Sequence, residues 1–378
     1  MMRKLELQMG SEAFQRGLQR YLSTFAFGNA TWDDLIQILH AEAPAAHILD
    51  FDQQWVKQKG IPTQTLDPNA AELPNLDGMD YVRYELADSA AAEKYIERLL
   101  ELPTQQGQLA AVMTLYDNML MQRMPAVMFA LTTVKMTQTE DNEQQLSSLG
   151  SYIIKTLSYL TEEKRTYVEE KLWETAQDHP VKSFRQQILR SLSRVAQSAK
   201  VVNSIYAIWQ EGNHPLLNER DYMNMAYHLA IVRPQDWQQI IETQRRRLTH
   251  ADVKREFDFV SRGCTPDEGE QQRLFESLLK AENRTIEPYA AALLTLLNDP
   301  TREPFSNRYI TPALEALEEI QRTGDIFFPL NWCQSLLDGH HSKEAAERVQ
   351  EFLDSHTDYP EALRNKLLQA AYVLMSRK

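Results

Sequence analysis

The sequence predicts an all-α protein whose greater part is an α–α superhelix of HEAT or armadillo type. Three observations predict it. Glycine is scarce, with 12 residues in 378. That is less than half the usual share of about 7%, and glycine supplies the positive-φ positions of β-hairpins and phosphate-binding loops. Apolar residues recur at helical spacing along almost the whole chain, and one short stretch alone alternates with period two. Proline breaks recur through the later part, at Pro103, Pro180, Pro215, Pro234, Pro266, Pro288, Pro300, Pro312 and Pro360. They delimit helices whose pairs repeat at about 40 residues, the period of such arrays.

The elements follow in order. Residues 1–9 read as helix, with Met1, Leu5 and Met9 on one face. No Ser, Thr, Asp or Asn precedes them to cap the first turn, and Arg3, Lys4 and Glu6 leave no apolar core for a signal peptide. The expectation is a chain that opens inside a helix of a longer protein. Gly10 and Ser11 start a second helix with an apolar stripe of Phe14, Leu18, Tyr21, Leu22 and Phe25. Gly28 ends it at a C′-like position. Thr31 and Asp34 form a capping-box pair ahead of Leu35, Ile38 and Leu39. A short helix through Phe51, Trp55 and Val56 stops at Gly60, with Pro62 beyond.

Residues 63–77, rich in Pro, Asn and Asp, read as linker. In 78–86, Val82, Tyr84 and Leu86 alternate with Arg83 and Glu85, which predicts a strand. A strand by itself leaves its backbone groups unpaired, so it is expected to dock on a neighbour. From 87 to 378 the pattern is helix after helix, roughly fourteen to sixteen of them by the proline and periodicity count. Leu109, Val112, Met113, Tyr116 and Leu120 form one stripe. Tyr152, Leu157 and Leu160 form another, and Phe184, Ile188, Leu192 and Val195 a third. Thr265 is expected to cap a helix with Pro266 at its first position. Thr311-Pro312 starts a helix that Gly324 ends.

Composition excludes several functions. A net charge of −13 argues against duplex nucleic acid as partner, and the Arg245–Arg247 triplet reads as a solvated helix face. No apolar run is long enough to span a membrane. Two cysteines, Cys264 and Cys333, make neither a disulfide framework nor a zinc site and read as two thiols. The methionines clustered at 113, 119, 121, 124, 128 and 136 read as core filler. No Gly-x-Ser-x-Gly elbow, P-loop or dinucleotide fingerprint is present.

Three stretches, in order, carry a resemblance. Gly10, Phe14, Gly17, Leu18 and Tyr21 match G-x-x-x-F-x-x-G-(L/I)-x-x-Y. Asn29, Ala30, Thr31, Asp34 and Leu35 match N-A-(T/S)-x-x-D-L. Trp55, Gly60 and Pro62 match W-x-x-Q-x-G-(Y/F/I)-P. Together they resemble the region that closes the catalytic domain of zinc aminopeptidases of the aminopeptidase N type. The stretch 323–356 more loosely resembles the end of that family. The resemblance implies three parts: 1–62, helices ending a thermolysin-like peptidase domain; 63–86, a linker and a strand remaining from a β-sandwich; 87–378, the superhelical domain. It also implies that this part caps the cleft and shapes the substrate chamber of a peptide-hydrolysing parent.

The family's zinc motif and Gly-x-Met-x-Asn loop do not occur in this sequence. No catalytic or metal residue is therefore assigned. Zinc is expected in the full-length parent and no cofactor in this chain, which should be inactive alone. Its expected partners are the catalytic portion preceding it and a peptide substrate. His40 and His47, seven apart with Pro44 between them, cannot pair on one helix. His340, His341, Glu344 and Glu347 form the other histidine cluster worth weighing as a metal site, and they read instead as a solvated helix start capped by Ser342. Arg302, Asn307, Arg308 and Tyr309 are the candidates for chamber surface. The competing reading is a non-catalytic helical-repeat scaffold that binds a protein or peptide on its concave face.

Overall fold

The computed structural model describes residues 1–377. The fold is mostly helical, and the β structure among these residues is one two-stranded sheet. The chain forms two compact units, Met1–Phe129 and the residues from Ala130 onward, with the division inside the helix Ala126–Thr137.

The first unit opens with the helices Met2–Met9, Ser11–Thr24, Trp32–Glu42 and Ile48–Asp52, the last running into a π turn over Gln53–Lys57. Leu5, Met9, Leu35, Ile36, Leu39, Ile48 and Phe51 form their common core. The Thr31 hydroxyl accepts the Asp34 N–H while the Asp34 carboxylate accepts the Thr31 N–H, so two orphan donors are met reciprocally. Gly17 lies where two helices touch. A Cβ there would stand 2.6 Å from Leu39 Cδ2, so a larger residue would make the buried Leu39 side chain or the helix pair shift. Gly60 holds φ +84°, a region that β-carbon sterics close to most residues. Two expectations fail here. Leu22 is exposed rather than part of the stripe. The second helix ends in a turn whose left-handed residue is Phe27, at φ +60°, not Gly28.

The predicted strand forms at Arg83–Glu85, and its partner comes from the expected linker. Thr63–Thr65 pairs with it in parallel, in the register Thr63↔Arg83, Gln64↔Tyr84, Thr65↔Glu85. The residues between them make the long crossover that parallel pairing requires. On the open side Asn118, fully buried in the helix Gln105–Leu120, replaces a third strand. Its Oδ1 accepts the Leu86 N–H at 2.8 Å and its Nδ2 donates to Tyr84 O at 2.8 Å. Along the same helix Met113 is exposed, against the predicted stripe, whereas Met119 is buried, as are Met124 and Met136 beyond the helix.

In the second unit the helices Glu143–Thr156, Lys182–Val195 and Glu219–Val232 pack in succession, each on the next. The series passes to the turn Ser261–Cys264 that ends Ala251–Val260, then to Glu287–Leu297, Phe328–Leu337 and Glu361–Met375. The Phe184, Ile188 and Leu192 stripe is buried as read from its spacing. Asp267, not Thr265, caps the helix Glu268–Leu278, by accepting the Glu270 N–H. The Thr265 hydroxyl is already spent on the Asp267 N–H. Between 300 and 323 the chain breaks into more pieces than expected, including Glu303–Ser306, Ile310–Glu315 and Leu317–Thr323. Both cysteines are free and buried, and burial pushes both thiols up to about 12.

Candidate functional site

The four residues expected on a chamber surface lie around the turns at 300–309. Arg302 is spent on backbone. One of its terminal nitrogens donates to Gly263 O at 2.5 Å and Leu296 O at 3.2 Å, and the other to Cys264 O at 3.1 Å and Thr265 O at 3.0 Å. It ties the turn Pro300–Arg302 to the end of the preceding helix layer. Tyr309 is fully buried and stacks on Phe275 with ring centroids 4.2 Å apart. Burial raises its phenol. Asn307 is buried against His340. Only Arg308 is exposed, with its guanidinium 3.9 Å from the Phe305 ring centre. Asn307 and Tyr309 are therefore corrected from surface to core. The short helices of this region turn both side chains inward, which their spacing alone does not reveal.

His340 requires the same correction. It is 1% exposed rather than solvated. Its Nε2 lies 2.9 Å from Asn298 Oδ1 and its Nδ1 2.9 Å from Asn307 Oδ1. Asn298 Nδ2 already donates to Leu294 O at 2.8 Å, so Asn298 Oδ1 must accept and His340 Nε2 carries the proton. Nδ1 is then left as an acceptor, and Asn307 meets it as a donor with its amide turned so that Nδ2 takes the place of Oδ1. Burial lowers both His340 and His341 to about 4, with Glu303 opposing in each case. Glu303 Oε1 accepts the N–H groups of His341 at 2.7 Å and Ser342 at 2.6 Å, and Ser342 caps Lys343–Ser355 as expected. Glu344 and Glu347 pair instead with Arg348 and Lys343. Among the described residues no group of three or more His, Cys, Asp or Glu side chains converges to hold a metal ion.

A cavity of about 790 Å³ opens beside this network. Its wall comes from 197–203, 231–235, 266–271 and 301–305, four turns at nearly equal spacing along the second unit. Asn203, Ile231, Arg233, Gln271, Arg302 and Phe305 are among its lining residues. Arg233 is held by Asp236 at 2.9 Å and Asn203 at 3.0 Å, with its guanidinium 4.2 Å from the Tyr206 ring centre. The cavity thus offers amides, the Glu268 carboxylate and apolar surface, with its two cations largely committed to the protein. That wall suits contact with a polypeptide's amides and side chains.

No protein-family model and no curated protein matches the chain.

A buried pair that the sequence does not announce organises the neighbouring helices. Glu169 is fully buried, with Arg165 Nε donating to its Oε1 at 2.7 Å. Its Oε2 accepts the N–H groups of Gln197 at 2.8 Å and Ser198 at 2.7 Å, at the start of Ala199–Glu211. Glu303 repeats the device ahead of Lys343–Ser355. In sequence, Arg165 and Glu169 have the i,i+4 spacing of an ordinary surface pair. A buried pair and an exposed one look alike at that spacing.

Proposed function

We propose that this chain is the C-terminal portion of a zinc aminopeptidase of the aminopeptidase N type. It caps the cleft, shapes the chamber for the peptide substrate, and is inactive by itself. The observation that carries the reading is the run of three motif segments, in order, within 10–62. Their residues have definite work in the fold. Gly17 permits the close approach to Leu39, Thr31 and Asp34 cap reciprocally, and Trp55 stacks on Phe51 at 4.8 Å. Exposed apolar side chains support it too: Met1, Met2, Leu7, Leu22, Phe27, Leu49 and Val56 all stand at the surface of the first unit. Exposed apolar surface of this kind suits packing against another part of a larger protein.

The second unit is read as an α–α superhelix of HEAT or armadillo-like pairs. Two features support this. The inner helices start at Glu143, Lys182, Glu219, Ala251, Glu287, Phe328 and Glu361, every 32 to 41 residues. Successive members of that series pack on one another, except that the step from Glu219–Val232 runs through the turn Ser261–Cys264 that ends Ala251–Val260. The chamber wall moves from the buried Asn307 and Tyr309 to Arg308 and the cavity of about 790 Å³, which Arg302 helps to line. The described residues hold no donor set that fits zinc, so in this reading the metal and the water it activates belong to the preceding portion.

Hydrolysis of an aminoacyl-nitroanilide panel by the chain, with and without added zinc, tests the reading. No turnover under either condition is expected. Chelator-sensitive turnover that co-purifies with the chain would overturn it.

A further inference from the structure

A second cavity, of about 440 Å³, lies where the helix Glu162–Gln177 ends and Lys182–Val195 begins, closed by the turn at 214–216. Its polar lining consists of Gln177, Lys182, Arg185 and His214, its apolar lining of Ala176, Leu189, Pro215 and Leu216, and none of these is a carboxylate. Among the described residues neither Lys182 nor Arg185 has an ion pair or a side-chain hydrogen bond. The Arg185 Nε is itself buried without an acceptor. A buried donor left unpaired is destabilising unless a ligand or water completes it.

Two further features point the same way. The helix Lys182–Val195 has 14 residues, no side-chain cap and no acid in its first turn. Its first N–H groups, from Lys182, Ser183 and Phe184, carry the positive end of the helix dipole without a protein acceptor. Across the cavity His214 Nδ1 accepts the Leu216 N–H, which leaves Nε2 to carry the proton as a donor. Burial lowers His214 while Glu211 opposes, so it acts as a neutral donor.

We propose that this cavity binds a phosphate group. Arg185 and Lys182 supply two positive charges, matched by a phosphate dianion and only half used by a carboxylate. The opening N–H groups of Lys182–Val195 supply further donors, and the apolar walls leave room for the organic part of a small phosphate monoester. The site is separate from the chamber cavity and does not rest on the aminopeptidase reading.

Calorimetric titration of the full chain with inorganic phosphate and with phenyl phosphate, at matched ionic strength against chloride, tests it. Saturable binding of phosphate is expected. Arg185→Gln and Lys182→Gln should each weaken it about tenfold, as loss of a charge-assisted hydrogen bond does. Arg194→Gln, an exposed arginine later on the same helix, should leave it unchanged. Lys182 is exposed, so Lys182→Gln keeps the test valid if Arg185→Gln fails to fold. Tighter binding of phenyl phosphate assigns the ester and equal binding the free ion, and either result supports the site. Heat no greater than that of chloride, or equal binding by wild type and Lys182→Gln, overturns it.

Discussion

Glu169→Gln removes one charge from the most enclosed ion pair in the second unit, and its cost follows from the geometry. The wild-type carboxylate accepts from Arg165 on one oxygen and from two backbone N–H groups on the other. A glutamine amide has one acceptor end. Placed toward Gln197 and Ser198, it turns an NH2 against Arg165; reversed, it turns that NH2 against the two N–H groups. Either way donors meet donors, and Arg165, a residue only 9% exposed, loses its counter-ion. Breaking a buried pair from one side costs about 3–5 kcal/mol. For a unit of this size that is a fall in unfolding temperature on the order of 10 °C. Circular dichroism melting gives the shift. Hydrogen exchange gives its location, with faster exchange expected at the start of Ala199–Glu211. In a double-mutant cycle, Arg165→Met with Glu169→Gln should show a coupling of about 1–3 kcal/mol. A Glu169→Gln melt within a degree of wild type would refute the reasoning.

Three other predictions concern single sites. Asn118→Leu strands the Leu86 N–H and the Tyr84 carbonyl, at about 1–3 kcal/mol for each group, and a urea midpoint equal to wild type would contradict the docking role. His340 and His341 sit near 4 in the fold, so between pH 6.5 and 4 the unfolded chain binds protons that the folded chain refuses. Their stabilisation is complete above pH 6.5 and is lost as pH falls, by at most about 1.4 kcal/mol per pH unit for each. Asp338, raised to about 6 by burial, opposes this, because its own contribution is present at low pH and lost as pH rises to 6. Comparing wild type with His340→Gln between pH 7 and 5 isolates the histidine: the variant's urea midpoint should fall less steeply, and parallel curves would contradict the assignment. Cys264 and Cys333, buried and pushed up to about 12, should resist a disulfide-exchange reagent in the native chain and react fully in denaturant; fast native reaction of either would contradict their burial.

What the sequence revealed was local. The Thr31–Asp34 box, the Ser342 cap, the stop at Gly324 and the Phe184–Leu192 stripe all depend on residues within one or two helical turns, and each formed as its spacing implies. What it hid was long-range. Thr63–Thr65 is three exposed residues whose partner lies twenty positions on, so no alternation marks it. Arg302 looks like a solvated arginine until four carbonyls from the preceding layer gather on it. His340 reads as a helix flank until Asn298 and Asn307 close on both ring nitrogens. Met113 and Leu22 erred the other way: their periodicity fits a buried stripe, yet both are exposed.

The most direct test of the aminopeptidase reading is reconstitution. This chain would be co-expressed with an aminopeptidase N-type enzyme cut just ahead of the helix that precedes its G-x-x-x-F-x-x-G segment, and aminoacyl-nitroanilide hydrolysis measured for each part and for both. The prediction is activity only when both are present, with co-purification of the two, and loss of both on Leu22→Glu with Phe27→Asp in the exposed apolar surface. No hydrolysis above either part alone, with no co-purification, would contradict it and favour the helical-repeat scaffold.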